Sequence, residues 1–241
     1  MKIAIVDERM PSEAKRKLAL LGFYTVDVPM AKTLPAALSA HPDMIFFVHG
    51  KNIISSAEYC DAAPYVFEDI TRLIPGVSLT LTSDKFENEY PYDAIFNALV
   101  IGNKIFLKKD SVSRAVLEYA EARGLEVCPT KQGYPACTTL ALSDKHAITA
   151  DEGMARTLRE RGLEVTLIRN GDISLPPYEY GFIGGASGVY ADKLYFIGDY
   201  RLHRDAEKIE AAANAAGLTP ISLTTLPLAD FGRIIFIDSD I

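Results

Sequence analysis

The sequence has few of the residues and motifs on which several large classes of protein depend. Its 241 residues include only three cysteines, Cys60, Cys128 and Cys137, without Cys-x-x-Cys spacing. An odd number in this arrangement argues against a disulfide framework and against a zinc site. No apolar run approaches the roughly 20 residues that cross a bilayer, and the charged N-terminus does not resemble a signal peptide. We therefore expect a cytoplasmic protein.

Positive charge is also scarce. The chain has 25 lysines and arginines against 32 aspartates and glutamates, a formal net charge of −7. This balance argues against a nucleic-acid partner, which would need clustered basic residues, and suits a small cationic molecule. The glycine-rich run 184–188 lacks the Gly-Lys-Ser/Thr ending of a phosphate loop and is not a Gly-x-Ser-x-Gly elbow. We expect its small residues to allow close packing or to leave room for a ligand, and no metal or organic cofactor is implied.

A pattern repeated within residues 97–165 is the most informative feature. Both copies, residues 98–127 and 138–165, pass from an apolar stretch through a Gly-Asn-Lys or Ser-Asp-Lys turn into a second apolar stretch. Such a pattern predicts a β-hairpin. An amphipathic helix and a strand beginning Gly-Leu-Glu-Val follow, so the predicted unit is strand, strand, helix, strand.

The same unit can be followed along the whole chain. Residues 41–81 and 178–223 form further units, whereas residues 1–28 supply only strand, helix, strand. The tail, residues 227–237, is a lone apolar strand that can complete the N-terminal unit. We predict one α/β domain, residues 1–241, with five units in a pseudo-fivefold propeller that the N- and C-terminal strands close.

Five such units resemble the pentein fold of the guanidine-modifying enzymes, which include arginine deiminase, dimethylarginine dimethylaminohydrolase and the amidinotransferases. A ribosome anti-association factor that is not an enzyme shares this fold. More closely, several segments are similar to an uncharacterised bacterial family assigned to the same fold. These segments are His41-Pro42-Asp43-Met44, Tyr90-Pro91-Tyr92-Asp93, Lys131-Gln132-Gly133-Tyr134, Tyr180 to Gly188, and Pro227-Leu228-Ala229-Asp230.

In such a ring the first strand of each unit faces a central channel, so the residues that open these strands should converge. They are Asp43, Asp93, Cys137, Glu179 and Asp230. Carboxylates gathered in a partly buried funnel need raised pKa values or a cation to compensate them, which predicts a guanidinium- or amine-bearing ligand. The alternative is that these acids only cap turns by accepting backbone N–H groups.

The resembling enzymes use a cysteine thiolate to attack a guanidinium carbon, with a histidine for proton transfer and carboxylates that hold the substrate. The resemblance implies Cys137 as nucleophile and His41 as proton-transfer group. Substrate binding falls to Asp43, Asp93, Asn97, Glu179 and Asp230, with Asn97 on the same strand as Asp93. The enzymes place their cysteine near the C-terminus, whereas this chain has Asp230 there.

Two functions therefore remain open at the level of sequence. One is a hydrolase or transferase that modifies a small guanidine or amidine, and the other is a non-catalytic binding or interaction protein of the same fold. A buried, inert Cys137 would favour the second. Of the other histidines, His49 and His146 are expected to be solvated beside hairpin turns, and His203 to lie either at the surface or in a site. Lys131 is expected to be solvated.

Overall fold

The computed structural model describes residues 1–238, and these residues form five three-stranded sheets. The strands are β1 (Lys2–Asp7), β2 (Phe23–Val28), β3 (Phe47–His49), β4 (Asn52–Ser56), β5 (Ser78–Thr82), β6 (Leu99–Ile101), β7 (Lys104–Leu107), β8 (Glu126–Pro129), β9 (Thr139–Ala141), β10 (His146–Thr149), β11 (Glu164–Leu167), β12 (Ser187–Tyr190), β13 (Lys193–Phe196), β14 (Thr219–Ser222) and β15 (Ile235–Asp238). The helices are α1 (Ser12–Leu20), α2 (Pro42–Ile45), α3 (Ala57–Ala62), α4 (Pro64–Leu73), α5 (Arg114–Ala122), α6 (Pro135–Thr138), α7 (Glu152–Glu160), α8 (Ala206–Ala215) and the 3₁₀ turn Tyr200–Leu202.

Every sheet has the same internal arrangement. The strand orders are β15-β1-β2, β3-β4-β5, β6-β7-β8, β9-β10-β11 and β12-β13-β14. The middle strand is antiparallel to the first strand and parallel to the third in all five. In the first sheet, the first strand is β15, so the end of the chain completes the sheet that its beginning starts.

Local sequence accounts for the hairpins and the helices. Two-residue turns, Gly102-Asn103 and Ala191-Asp192, join β6 to β7 and β12 to β13. Helix α7 begins where Asp151 Oδ1 accepts the backbone N–H of Met154 at 2.7 Å, a standard N-cap. Its buried residues, Met154, Ala155 and Leu158, recur at helical spacing, so one face packs on the sheet below it.

Much of the middle strands β1 and β7 is deeply buried. Residues 3–6 of β1 and 105–107 of β7 are almost completely buried, as is expected for strands that are covered on both faces. The largest fully buried side chains are phenylalanines, namely Phe46, Phe47, Phe96, Phe106 and Phe196. No helix within residues 1–238 is long and apolar enough to cross a membrane.

The first strands begin later than the sequence predicts. Asp43 lies in the one-turn helix α2 and Cys137 in the one-turn helix α6, each of which starts with a proline. Proline is favoured at the first position of a helix, so these segments form a turn before they extend. The prediction that Asn97 shares a strand with Asp93 is wrong, because both precede β6. The strand predicted to start at residue 178 begins at Ser187.

Shortening Ile237 to alanine tests whether the C-terminal strand belongs to the core. Ile237 is 4% exposed and faces Ile3 across the β15–β1 ladder. The cavity left by Ile237→Ala should lower the free energy of unfolding by about 2–5 kcal/mol, measured by urea denaturation. Leu20→Ala is the control, because Leu20 is 88% exposed and its loss should change stability by less than about 0.5 kcal/mol. Equal effects of the two changes would contradict this assignment.

Candidate active site

The five segments that precede the first strands are linked to one another by hydrogen bonds. Each of the five sheets contributes one segment, and each segment bonds to the next, so the bonds form a closed series that we call the central circuit. The bonds are Asn97 Nδ2 to Asp43 O (3.1 Å), Ala136 N to Asn97 Oδ1 (2.9 Å), Gly185 N to Cys137 O (3.0 Å), Phe231 N to Gly185 O (3.1 Å) and Asp43 N to Gly232 O (3.1 Å).

The sequence predicted Asn97 only as a substrate-binding residue, but its side chain makes several of the contacts that hold this centre together. Its Nδ2 also donates to Cys137 Sγ at 3.0 Å, and its Oδ1 also accepts from Cys137 N at 3.4 Å. The side chain is 2% exposed. A buried amide with unsatisfied groups would be costly, and here both its oxygen and its nitrogen have partners. Asn97 therefore fixes the position of the Cys137 thiol relative to Asp43.

The glycine run packs against the same centre. A Cβ on Gly184 would overlap the carbonyl oxygen of Ala136, and a Cβ on Gly185 would overlap Oδ1 of Asp230. The small residues therefore allow close approach of the segments, which was one of the two expectations from the sequence. They lie in a turn, and only Ser187 and Gly188 belong to β12.

Cys137, Asp43 and Asp230 are the predicted residues that the fold brings together. The Cys137 thiol donates to Asp43 Oδ2 at 3.0 Å, and Cys137 and Asp230 line the same cavity. Asp230 accepts the backbone N–H groups of Phe182 at 2.8 Å and Gly232 at 3.0 Å. All three side chains are nearly inaccessible, and Asp43 Oδ1 is a buried oxygen without a hydrogen-bond partner among the described residues.

Burial dominates the electrostatics of this group. It raises the pKa of Asp43 to about 6, against the opposing effects of the Cys137 hydrogen bond and the Arg233 charge. Burial and the neighbouring Asp43 raise the pKa of Asp230 to about 7. Burial and the two carboxylates also hold the pKa of Cys137 well above its usual range. Near neutral pH the group therefore contains a neutral thiol and carboxyls that are partly protonated.

His41 lies behind Asp230. Its Nδ1 is 3.8 Å from Asp230 Oδ1 and its Nε2 is 3.9 Å from Asp7 Oδ2, and the ring is 1% exposed. Burial, followed by the charge of Arg9, lowers the pKa of His41 to about 3, so the imidazole is neutral. Arg9 forms a two-pronged ion pair with Asp7, with Nε at 3.0 Å from Oδ1 and Nη2 at 2.6 Å from Oδ2. His41 thus contacts the site through Asp230.

Members of this group line two cavities. The tyrosine cavity, about 320 Å³, contains Cys137 and Asp230 and has mostly apolar walls. Its lining residues are Leu38, Tyr134, Cys137, Leu175, Tyr178, Glu179, Tyr180, Phe182 and Asp230. The arginine cavity, about 190 Å³, contains Asp43 and Arg233 between residues of β3, β6, β12 and β15. The hydrogen bond from Cys137 to Asp43 therefore links a residue of one cavity to a residue of the other.

The remaining two predicted acids lie apart from this group. Asp93 is 1% exposed, and its Oδ2 accepts the hydroxyl of Tyr134 at 2.6 Å, so it lies behind a wall of the tyrosine cavity. Glu179 is exposed and lines the same cavity. The sequence predicted that four acids and one thiol lie together. In the structure only two of these acids lie with the thiol, because Asp93 is one side chain away and Glu179 is in an exposed position.

Among residues 1–238, His49 lines the arginine cavity, whereas His146 and His203 line neither of the two cavities. His49 is half-buried and its Nδ1 lies 2.9 Å from the Tyr119 hydroxyl, so the expectation that it is solvated is wrong. His146 is partly exposed and lies 3.2 Å from Glu164. His203 is buried and accepts the backbone N–H of Asp205 at 3.0 Å. Lys131 is exposed, and no group of three metal-ligating side chains occurs among residues 1–238.

Sequence reasoning missed several residues of the site. Arg233 has a φ of +75°, which is rare for a residue other than glycine, and its backbone N–H donates to Gly185 O at 2.8 Å. Nothing in the sequence indicates that conformation. The aromatic walls Tyr134, Tyr178 and Tyr180 were detectable in principle, because they lie in the quoted family segments or beside Glu179.

Comparison with solved structures defines the fold. An amidinotransferase from Microseira wollei in the saxitoxin biosynthetic pathway has a TM-score of 0.56 and 13% identity, with 91% of this chain and 87% of that chain covered. The product-bound N-terminal domain of a cyanobacterial arginine dihydrolase has a TM-score of 0.55 and 12% identity, with 92% of this chain and 89% of that chain covered. Agmatine deiminase from C. jejuni has a TM-score of 0.50 and 10% identity, with 83% of this chain and 69% of that chain covered. This chain spans 36% of the full-length arginine dihydrolase. These similarities show a pentein fold.

Sequence comparison then gives the family. No curated protein matches the chain. The profile described as Family of unknown function (DUF6873) matches residues 5–235, nearly the full length. The chain belongs to this family, which confirms the expected resemblance to an uncharacterised family of pentein fold.

The variant Asp43→Asn tests the buried carboxylate through the pH dependence of stability. An aspartate with a folded pKa of about 6, raised above its unfolded value, contributes stability that is present at low pH and lost as pH rises through 6. Between pH 4 and 8 the wild type should therefore lose about 2 kcal/mol relative to Asp43→Asn. His41, whose pKa is lowered, contributes stability that is lost as pH falls, but this contribution is present in both proteins.

Urea denaturation at several pH values measures this difference. Asp27→Asn is the matched control, because it makes the same chemical change at a half-exposed carboxylate, and it should leave in place the loss of stability that Asp43 causes. A constant difference between Asp43→Asn and the wild type across the whole range would mean that Asp43 ionises normally in the folded protein.

Proposed function

We propose that the protein is a guanidine- or amidine-modifying hydrolase or transferase that acts on a small cationic substrate through Cys137. The observation that supports this most strongly is the placement of the thiol. It bonds to one buried carboxyl group, Asp43, and shares an aromatic-walled cavity with a second, Asp230. The related structures support the same class, since an amidinotransferase, an arginine dihydrolase and an agmatine deiminase share the fold.

We further propose that residues 1–241 form one domain in which the five sheets are the blades of a ring. The central circuit supports this arrangement, because hydrogen bonds pass through one segment of each sheet and return to the first. The pairing of β15 with β1 is consistent with closure by the termini. The cytoplasmic location stays a prediction.

A cation in the tyrosine cavity would relieve an electrostatic cost that the free protein bears. Asp43 and Asp230 lie close enough for the charge of Asp43 to raise the pKa of Asp230. A guanidinium ion placed beside Asp230 would donate N–H groups to its oxygens, and its positive charge would favour the ionised forms of Asp230 and of the nearby Asp43. Tyr134 and Phe182 line the same cavity, and aromatic rings attract cations.

The same cation would activate the thiol. In the free protein the Cys137 proton points at Asp43 Oδ2, which lies 3.0 Å from the sulfur. We propose that Asp43 takes this proton, and that the thiolate, held by Asn97 Nδ2, attacks the guanidinium carbon. A C–S bond forms, a C–N bond breaks, and the amine leaves with a proton returned by Asp43. Water or an acceptor amine then cleaves the C–S bond and regenerates the thiol.

His41 takes a different place in this proposal from the one implied by the resemblance. The resemblance to the guanidine-modifying enzymes implied the proton-transfer role. Its Nδ1 lies 3.8 Å from Asp230 Oδ1, beyond hydrogen-bond distance, and the ring is neutral at neutral pH because burial lowers its pKa. We propose that His41 acts through Asp230 by limiting the directions in which that carboxyl can turn. Asp93 likewise acts through Tyr134, whose hydroxyl donates a hydrogen bond to it.

A non-catalytic binding protein is the second candidate. The high pKa of Cys137, caused by burial and the two carboxylates, favours it, because a neutral thiol is a poor nucleophile. Under this alternative the same cavity holds a cationic ligand and no bond is broken.

Calorimetry and mass spectrometry on Cys137→Ser and Asp230→Asn test the proposal against arginine, agmatine and methylguanidinium. Cys137→Ser should bind with affinity similar to the wild type but should show no turnover, because it lacks the thiolate. Asp230→Asn should weaken binding at least ~10-fold, because a buried charge partner is removed. Cys60→Ser is the control, since Cys60 lies outside both cavities, and it should behave as wild type.

The possible results separate the candidates. Turnover that Cys137→Ser abolishes supports the enzyme, and turnover that survives this change contradicts the assigned nucleophile. Binding of a guanidinium compound without turnover identifies the non-catalytic alternative. Absence of binding to all three compounds contradicts both. Circular dichroism checks that each variant is folded. If Asp230→Asn does not fold, the result for Cys137→Ser alone decides the mechanism.

A further inference from the structure

The charges that line the tyrosine cavity are all of one sign. Among residues 1–238, its lining includes two carboxyl side chains, Asp230 and Glu179, and no lysine, arginine or histidine. Arg233, the basic residue whose charge acts on Asp43 and whose own pKa responds to Cys137, lines the arginine cavity instead. A ligand that enters the tyrosine cavity therefore meets acceptors for positive charge and no basic side chain for a carboxylate.

The two carboxyl groups differ in depth. Asp230 is 4% exposed and shares its part of the cavity with the buried Cys137, whereas Glu179 is exposed. Aromatic residues from the same segment accompany them, and the rings of Tyr180 and Phe182 meet edge to face at 6.2 Å. The cavity thus has a buried acidic end, aromatic walls and an exposed acidic residue.

We propose that the ligand of this cavity is an elongated dication without a carboxylate, in which a guanidinium or amidinium group lies at Asp230 and a second amine lies at Glu179. This inference rests on the proposed function and adds a substrate class to it. The spacer between the two cationic groups is aliphatic, because the other side chains that line the cavity, apart from Cys137, are tyrosines, a phenylalanine and leucines. Aliphatic carbon buried against them contributes by the hydrophobic effect.

An amino acid such as arginine fits this cavity less well. Its α-carboxylate would add a third negative charge to a lining that already contains Asp230 and Glu179. Like charges at short distance in a partly desolvated site are unfavourable, and an unpaired carboxylate also loses hydration. Tyrosine hydroxyls can donate a hydrogen bond to it but do not neutralise its charge. We therefore expect discrimination against the carboxylate in this protein.

Isothermal titration calorimetry with three probes tests the inference. Agmatine has a guanidinium and an amine, n-butylguanidinium has the same head and chain length without the amine, and arginine adds the carboxylate. Agmatine should bind at least ~10-fold more tightly than arginine and several-fold more tightly than n-butylguanidinium, because each comparison removes one matched charge or adds one mismatched charge. Higher ionic strength should narrow both ratios, since Glu179 is exposed.

The variant Glu179→Gln isolates the second amine. It should reduce agmatine affinity to about that of n-butylguanidinium and leave n-butylguanidinium unchanged. Glu207→Gln, an exposed position on α8 outside the cavity, is the matched control for net charge and should change neither. Arginine binding as tightly as agmatine, or agmatine binding no better than n-butylguanidinium, would overturn the inference and leave the proposed function standing. Failure of all three probes to bind would overturn the proposed function itself.

Discussion

The buried amide of Asn97 is the interaction on which the rest of the centre depends. It accepts from the backbone of Ala136 and donates to the carbonyl of Asp43 and to the thiol of Cys137, so it joins three of the five converging segments. Without Asn97 the Asp43 carbonyl and the Ala136 N–H would each lose a hydrogen-bond partner in a buried region, at a cost of roughly 1–3 kcal/mol per group. Gly185 closes the circuit on the opposite side, where a larger residue would overlap Asp230.

Fixing the segments in this way also fixes an electrostatic conflict. Asp43 and Asp230 are held in a buried region with a thiol, and Arg233, whose charge acts on Asp43, lines the arginine cavity. A core optimised for stability alone would replace such carboxyls by apolar residues, because burying charge costs more than an imperfect pair returns. Strongly perturbed pKa values in a cavity are characteristic of functional sites. The conflict is resolved in the proposed account by a cation from outside the protein.

Much of this architecture could be predicted from the sequence, because hairpin turns, capped helices and apolar periodicity are local features. The pairing of the two termini followed from counting strands, and the convergence of Asp43, Cys137 and Asp230 followed from their equivalent positions. What failed was short-range geometry: a proline at the start of a one-turn helix delays the strand after it, so Asp43 and Cys137 precede their strands. Asn97 follows a series of turns and also precedes its strand. The positive φ of Arg233 has no local signal, since tertiary hydrogen bonding imposes it.

Proton release on ligand binding tests the central claim most directly, that a cation compensates the buried carboxyls. The pKa values of about 6 for Asp43 and about 7 for Asp230 imply that together they hold roughly one proton at pH 6.5. Agmatine titrated at that pH in buffers of different ionisation enthalpy should therefore release roughly one proton per molecule bound. A binding enthalpy that does not depend on the buffer would show that these carboxyls are not the cation site, and would contradict the account.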